Sequence, residues 1–117
     1  MRQLIVKPAA LSEARNALRR SRAAFGSAAA RRYEALLRRG YRLLCQDPRR
    51  PGVQQRDGLP DGVFLFHLRH ARARGASPKQ PRHFIVFSYD DTSLTILRVL
   101  HDSMDIEDQA GGDERIE

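Results

Sequence analysis

Apolar and polar positions along the chain change period several times, and each change marks an element. Leu4-Ile5-Val6 is a short β-branched run that predicts a strand, and Pro8 after it suits the first turn of a helix. From Ala9 to Phe25 the apolar positions Leu11, Ala14, Leu18 and Phe25 recur at helical spacing, with Glu13 near the start and arginines towards the end. Gly26 suits a helix end and Ser27 the cap of a following helix. That second helix is predicted over Ser27 to Gln46. Ala29, Ala30, Tyr33, Leu36, Leu37, Gly40, Tyr41 and Leu44 form one face, and Arg31, Arg32, Arg38, Arg39 and Arg42 cover the rest. Gly40 lowers helix propensity, which is accounted for by a close crossing of the first helix. So short a link predicts a helical hairpin, ended by Pro48 and Pro51-Gly52.

Residues 47–62 have prolines, glycines and charges without a period and read as a loop. Three strand-like runs follow: Val63 to Arg69, His83 to Tyr89 and Ser93 to Leu100, with Asp90-Asp91-Thr92 as a tight turn between the last two. The segment from His70 to Arg82 is long and basic for a hairpin connection, and it reads as mobile or ordered by a partner. Strand, two helices and three antiparallel strands predict an α+β domain, a helical hairpin on a small antiparallel sheet, over residues 1–108. Residues 109–117 read as a disordered acidic tail. Val63-Phe64-Leu65-Phe66 is apolar on both faces. The helices cover one, and the other requires a second cover, which predicts a partner-binding surface.

Charge adds a polarity to this outline. Residues 1–99 carry 20 basic and 7 acidic groups, against 1 basic and 7 acidic in residues 100–117, and nearly all the cations are arginine. Such a body attracts polyanions or an acidic protein partner, and arginine favours planar, bidentate acceptors. The competing reading is that these arginines simply coat two solvated helices. Cys45 is alone, which excludes an intramolecular disulfide and a cysteine zinc cluster, and Leu43 and Leu44 beside it suggest a buried thiol. His67 and His70 flank Arg69 without further ligands, so no metal or cofactor is expected. With no membrane-length apolar run and no signal-like N-terminus, the expected location is the cytoplasm.

Three pieces carry a family resemblance: His67-Leu68-Arg69-His70, Pro81-Arg82-His83-Phe84, and Leu97-Arg98-Val99-Leu100-His101-Asp102-Ser103-Met104-Asp105. With Phe25-Gly26, Tyr33, Leu36-Leu37 and Asp47-Pro48, they make residues 3–108 resemble the RelE/ParE superfamily of type II toxins, in its ParE or plasmid-stabilisation branch. The resemblance implies a toxin neutralised by an antitoxin whose C-terminal segment wraps it, in a hetero-oligomer, and which inhibits growth by poisoning DNA gyrase. An acidic antitoxin segment would suit the basic body and supply the missing cover.

The same superfamily contains ribosome-dependent mRNA endonucleases, so the residues must be weighed for that chemistry too. Cleavage through the 2′-OH needs a base, cations for the phosphate and an acid for the leaving oxygen. Arg69 and Arg98 could clamp phosphate and His101 could move the proton. Against this, no lysine lies in the strands, no tyrosine follows Arg98, and acidic residues follow His101. Structural roles compete for both: His101 hydrogen-bonding the departing chain, and Arg98 pairing with Asp102 or Asp105. The ParE-like reading needs a surface rather than a catalytic set. Arg69, Arg72, Arg74, Arg82, Arg98 and His101 are its candidate contacts with the target or the antitoxin. A non-toxic relative that only binds its antitoxin is the third possibility.

Overall fold

A computed structural model describes residues 1–75 and 77–110. The elements are β1 (Gln3–Val6), α1 (Pro8–Phe25), α2 (Ser27–Gln46), β2 (Val53–Gln54), β3 (Phe64–His67), a 3-10 turn (Leu68–Ala71), β4 (His83–Tyr89) and β5 (Ser93–His101), followed by a helical turn over residues 106–110. The sheet runs in the order β1-β5-β4-β3-β2. The fold is α+β, as expected, but the sheet is mixed. β1 lies parallel to β5 because the chain leaves β1, crosses one face as the two helices, and returns through the whole meander before β5 is laid beside it. β2 falls inside the expected loop and pairs with β3 through two residues only. β3 is shorter than the apolar run suggested, since the chain turns into the 3-10 turn at Leu68.

Gly26 alone joins the two helices, with φ 93, and its N–H donates to Arg22 O at 2.9 Å. A residue at positive φ closes α1 and opens α2 at the same point, so the cap of α2 is Gly26 and Ser27 is already helical. The buried stripe of α1 also differs from the expected one. Ala10 and Ala14 face the core, while Leu11 and Phe25 are 42% and 79% exposed. Small residues let α1 lie close to β5, and bulk on that stripe would push it away. Gly40 follows the same logic with a different neighbour. A Cβ there would lie 2.9 Å from Ile85 Cδ1 and 3.2 Å from Leu68 Cδ2, so the close approach is to the sheet and the 3-10 turn rather than to α1.

A β-bulge sorts the apolar residues of β5. Val86 pairs with Arg98 and Phe87 with Ile96, leaving Leu97 as the extra residue. Strand parity therefore switches, and Val99 joins Leu94 and Ile96 on the helix side with Phe66, Ile85 and Phe87. Leu65, Phe84, Val86 and Leu100 face the other way, and the chain itself covers them. Leu59 and Val63 from the loop before β3, with Ile106 and Ala110 from the last helical turn, complete a second buried cluster. Arg56 ties the two covers together, donating to Glu107 Oε1 at 3.3 Å and lying over the Phe84 ring. The second sheet face thus does not await a partner. The helical turn carries order through Ala110, two residues beyond the expected limit; positions 111–117 of the expected acidic tail lie outside the described residues.

Ile106 is 2% exposed in that cover. Ile106→Ala is expected to cost about 2 kcal/mol, the low end for such a deletion because one terminal helical turn can settle into the gap. Urea melts would measure it; an unchanged midpoint would mean that the turn does not cap the sheet in solution.

Candidate functional site

The expected site residues divide among three places, and Arg98 pairs with neither Asp102 nor Asp105. Its guanidinium meets Glu13 of α1, with Nη2 2.6 Å from Oε2 and Nε 2.9 Å from Oε1, and Nη1 donates to Gln109 O at 3.2 Å. Glu13 Oε1 also accepts the Val99 N–H at 3.0 Å. The cause lies in the sheet. β1 ends opposite Ile96, so from Val99 onward the edge of β5 has no strand beside it. A carboxylate from α1 satisfies the amide that a longer β1 would have paired, and the same carboxylate fixes Arg98.

The second place is the end of the sheet where His83 opens β4 opposite His101, which closes β5. The two rings meet edge to face with centroids 5.2 Å apart. Tyr33 Oη reaches His83 Nδ1 at 2.5 Å and accepts the Arg82 N–H at 3.2 Å. With the Arg82 N–H accepted by the oxygen, we assign the phenol proton to the bond with His83 Nδ1, the tautomer that suits a neutral ring. Burial, aided by the neighbouring His101, pushes His83 down to about 4, and burial lifts Tyr33 to about 12. The pair is therefore neutral near pH 7.

Asp102 organises the next layer. His67 Nε2 lies 3.0 Å from Oδ2, and Arg82 Nε donates to Oδ1 at 2.9 Å. His67 Nδ1 accepts the Arg69 N–H at 3.1 Å, which caps the 3-10 turn and places the ring proton on Nε2, facing the carboxylate. Burial holds His67 below its ordinary value despite that contact. Burial would raise Asp102, but the hydrogen bonds from His67 and Arg82 outweigh it and keep the carboxyl below the usual range. His101 hydrogen-bonds the chain as it leaves the strand: its Nδ1 lies 3.1 Å from the Ser103 N–H and 2.7 Å from Ser103 Oγ.

Between this sheet end and the tip of the helical hairpin lies a cleft of about 550 Å³. Arg82 and His101 line it, and Arg69, Arg72, Arg74 and Arg98 do not. Arg69, Arg72 and Arg74 are exposed on the segment that follows β3. There Arg72 Nε donates to Pro78 O at 2.9 Å and Ala73 N to Ser77 Oγ at 2.8 Å, so the described part of this basic segment is tied across its own base. Sequence reasoning passed over Tyr33, His67, His83 and Asp102 as a group. Each stands within a quoted motif, but only the pairing of β3, β4 and β5 beneath α2 brings them together.

Among the described residues no three His, Cys, Asp or Glu side chains are grouped to hold a metal ion, and no helix is long and apolar enough to cross a membrane. Cys45 is buried, with its thiol raised by burial. No curated protein matches the chain. A family model described as the ParE toxin of the type II toxin–antitoxin system, parDE, matches residues 4–106. That span runs from β1 through the bulged β5 to the first residue of the terminal helical turn, and the chain belongs to the ParE toxin family of type II toxin–antitoxin systems.

Proposed function

We propose that this toxin arrests growth by poisoning DNA gyrase without catalysis of its own, and that a cognate antitoxin neutralises it in a hetero-oligomer. The match to the ParE family across residues 4–106 carries this reading. Two details support a binding role over RNA cleavage. The Arg98 guanidinium is held by Glu13, and the His101 Nδ1 faces Ser103 rather than open solvent. Arg69 is apart from both, on the turn capped by His67. A general acid–base set needs its members around one phosphate, and these three do not surround one cleft. The excess of exposed arginine on the helices suits an antitoxin with an acidic segment.

Expression of the chain without a partner tests the reading. The expected result is induction of the DNA-damage response with ribosome-bound mRNA intact, unchanged by His101→Ala, and growth restored by the antitoxin encoded alongside. Transcripts cleaved at ribosomes, with cleavage lost on His101→Ala, would favour the nuclease reading. Unimpaired growth would favour a relative that only binds its antitoxin.

A further inference from the structure

Tyr33, Arg82, His83 and His101 of the cleft at the hairpin tip make the contacts described above, and the rest of its lining is chemically one-sided. Arg20 of α1, Arg32 of α2, and Lys79 and Arg82 on the opposite lip bring four cations to it, and no aspartate or glutamate lines it. Asp102 engages Arg82, but Arg20, Arg32 and Lys79 have no ion pair with any described residue. Three uncompensated cations around one concavity favour an anion in it, because the walls focus their field. The first turn of α2 adds to that field: Gly26 offers no side chain to cap it, so its leading amides remain open beside Ala29, which lines the cleft.

An anion alone does not account for Phe25. This ring, the last residue of α1, lines the cleft and is 79% exposed. Ala17 and Ala24, which also line the cleft, leave the α1 wall low enough for a flat ring to lie against. An exposed aromatic face beside arginines is the arrangement that stacks an unpaired base while the cations hold its phosphates. The volume, about 550 Å³, accommodates one nucleotide. An acidic peptide would satisfy the cations but would leave the ring without a flat partner.

We infer that the cleft between the hairpin tip and the His83–His101 end of the sheet binds an unpaired nucleotide of a single nucleic-acid strand. Phe25 stacks on the base, and Arg20, Arg32 and Lys79 hold the flanking phosphates. This inference stands apart from the gyrase reading, since it is measured on the purified toxin with no gyrase present.

The test is fluorescence anisotropy with a labelled eight-residue thymidine strand. Phe25→Ala should weaken binding about tenfold, the worth of one stacked base. Arg20→Gln and Arg32→Gln should each flatten the salt dependence by about 0.7 in log–log slope, as expected for one phosphate contact with a single strand. Arg69→Gln, outside the cleft, should change affinity less than twofold, and thermal melts of each variant should stay within a few degrees of the parent. Four outcomes would overturn the inference: no binding, equal loss from Arg69→Gln and the cleft variants, equal affinity for a duplex of the same length, or preference for an oligoglutamate peptide over the strand.

Discussion

Replacing Glu13 by alanine is expected to destabilise the fold by about 3 kcal/mol, because one carboxylate serves both the Arg98 guanidinium and the Val99 amide. The Arg98 side chain is only 14% exposed and that of Glu13 22%, so water screens the pair poorly. Removal leaves a largely enclosed guanidinium and an edge amide, Val99 N–H, without its acceptor. For a domain of this size the melting temperature should fall by about 10–15 °C. Glu13→Gln, which keeps an acceptor and loses the charge, should cost about half as much. The double variant Glu13→Leu with Arg98→Met should lie closer to the parent than either single change, since it removes both charges together. A Glu13→Ala protein that melts within 3 °C of the parent would show the pair to be loosely held. The result also bears on activity: loss of toxicity in an Arg98 variant counts as chemistry only if the fold survives.

Stability should also fall steeply below neutral pH, and His83 is the main cause. Its imidazole titrates near 6.5 when unfolded but near 4 in the fold, where burial and His101 oppose a second proton and Tyr33 Oη already donates to Nδ1. Between those values the unfolded chain binds more protons than the native one, so stability rises with pH across the window and is lost as pH drops from about 6.5 towards 4. The full shift would be worth about 3 kcal/mol. His83 is only partly buried, and solvent screening reduces this to about 2 kcal/mol. His67, also lowered, adds in the same direction. Asp102, held low by His67 and Arg82, contributes at the acid end, where its protonation undoes both contacts. Thermal melts at pH 7.5 and 4.5 would show the loss, and His83→Gln, whose amide oxygen can accept from Tyr33, should remove much of it. A melting temperature flat across that range would mean that the Tyr33–His83 contact does not persist in solution.

Those two sites show where local pattern runs out. Glu13 reads in the sequence as an acidic residue near a helix start, favourable to the dipole, and nothing around it announces a partner 85 positions away. Asp102 and Asp105 were the natural partners for Arg98 because they are near in the chain, yet the strand carries Arg98 towards α1. The cover of the second sheet face is hidden in the sequence for a related reason. Leu59, Ile106 and Ala110 are isolated apolar positions in irregular segments, without a period to mark them as core. Alternation in β5 was likewise broken by Leu97, and a single inserted residue changes which side every later residue faces.

What the chain determined by itself was its succession of elements: the two helices, the turn at Asp90-Asp91-Thr92, the long strands and the α+β class, together with motifs specific enough to point to the family. These rest on local forces, since periodic burial, caps and turn chemistry act within a few residues of one another. The tertiary structure alone decided that β1 lies parallel to β5, that Glu13 completes the edge β1 leaves open, and that His67, His83, Tyr33 and Asp102 meet at one end of the sheet. Each depends on groups far apart in the chain, brought together by closing the sheet over the helical hairpin. Their energies arise from desolvation and paired geometry that exist only once that closure is made.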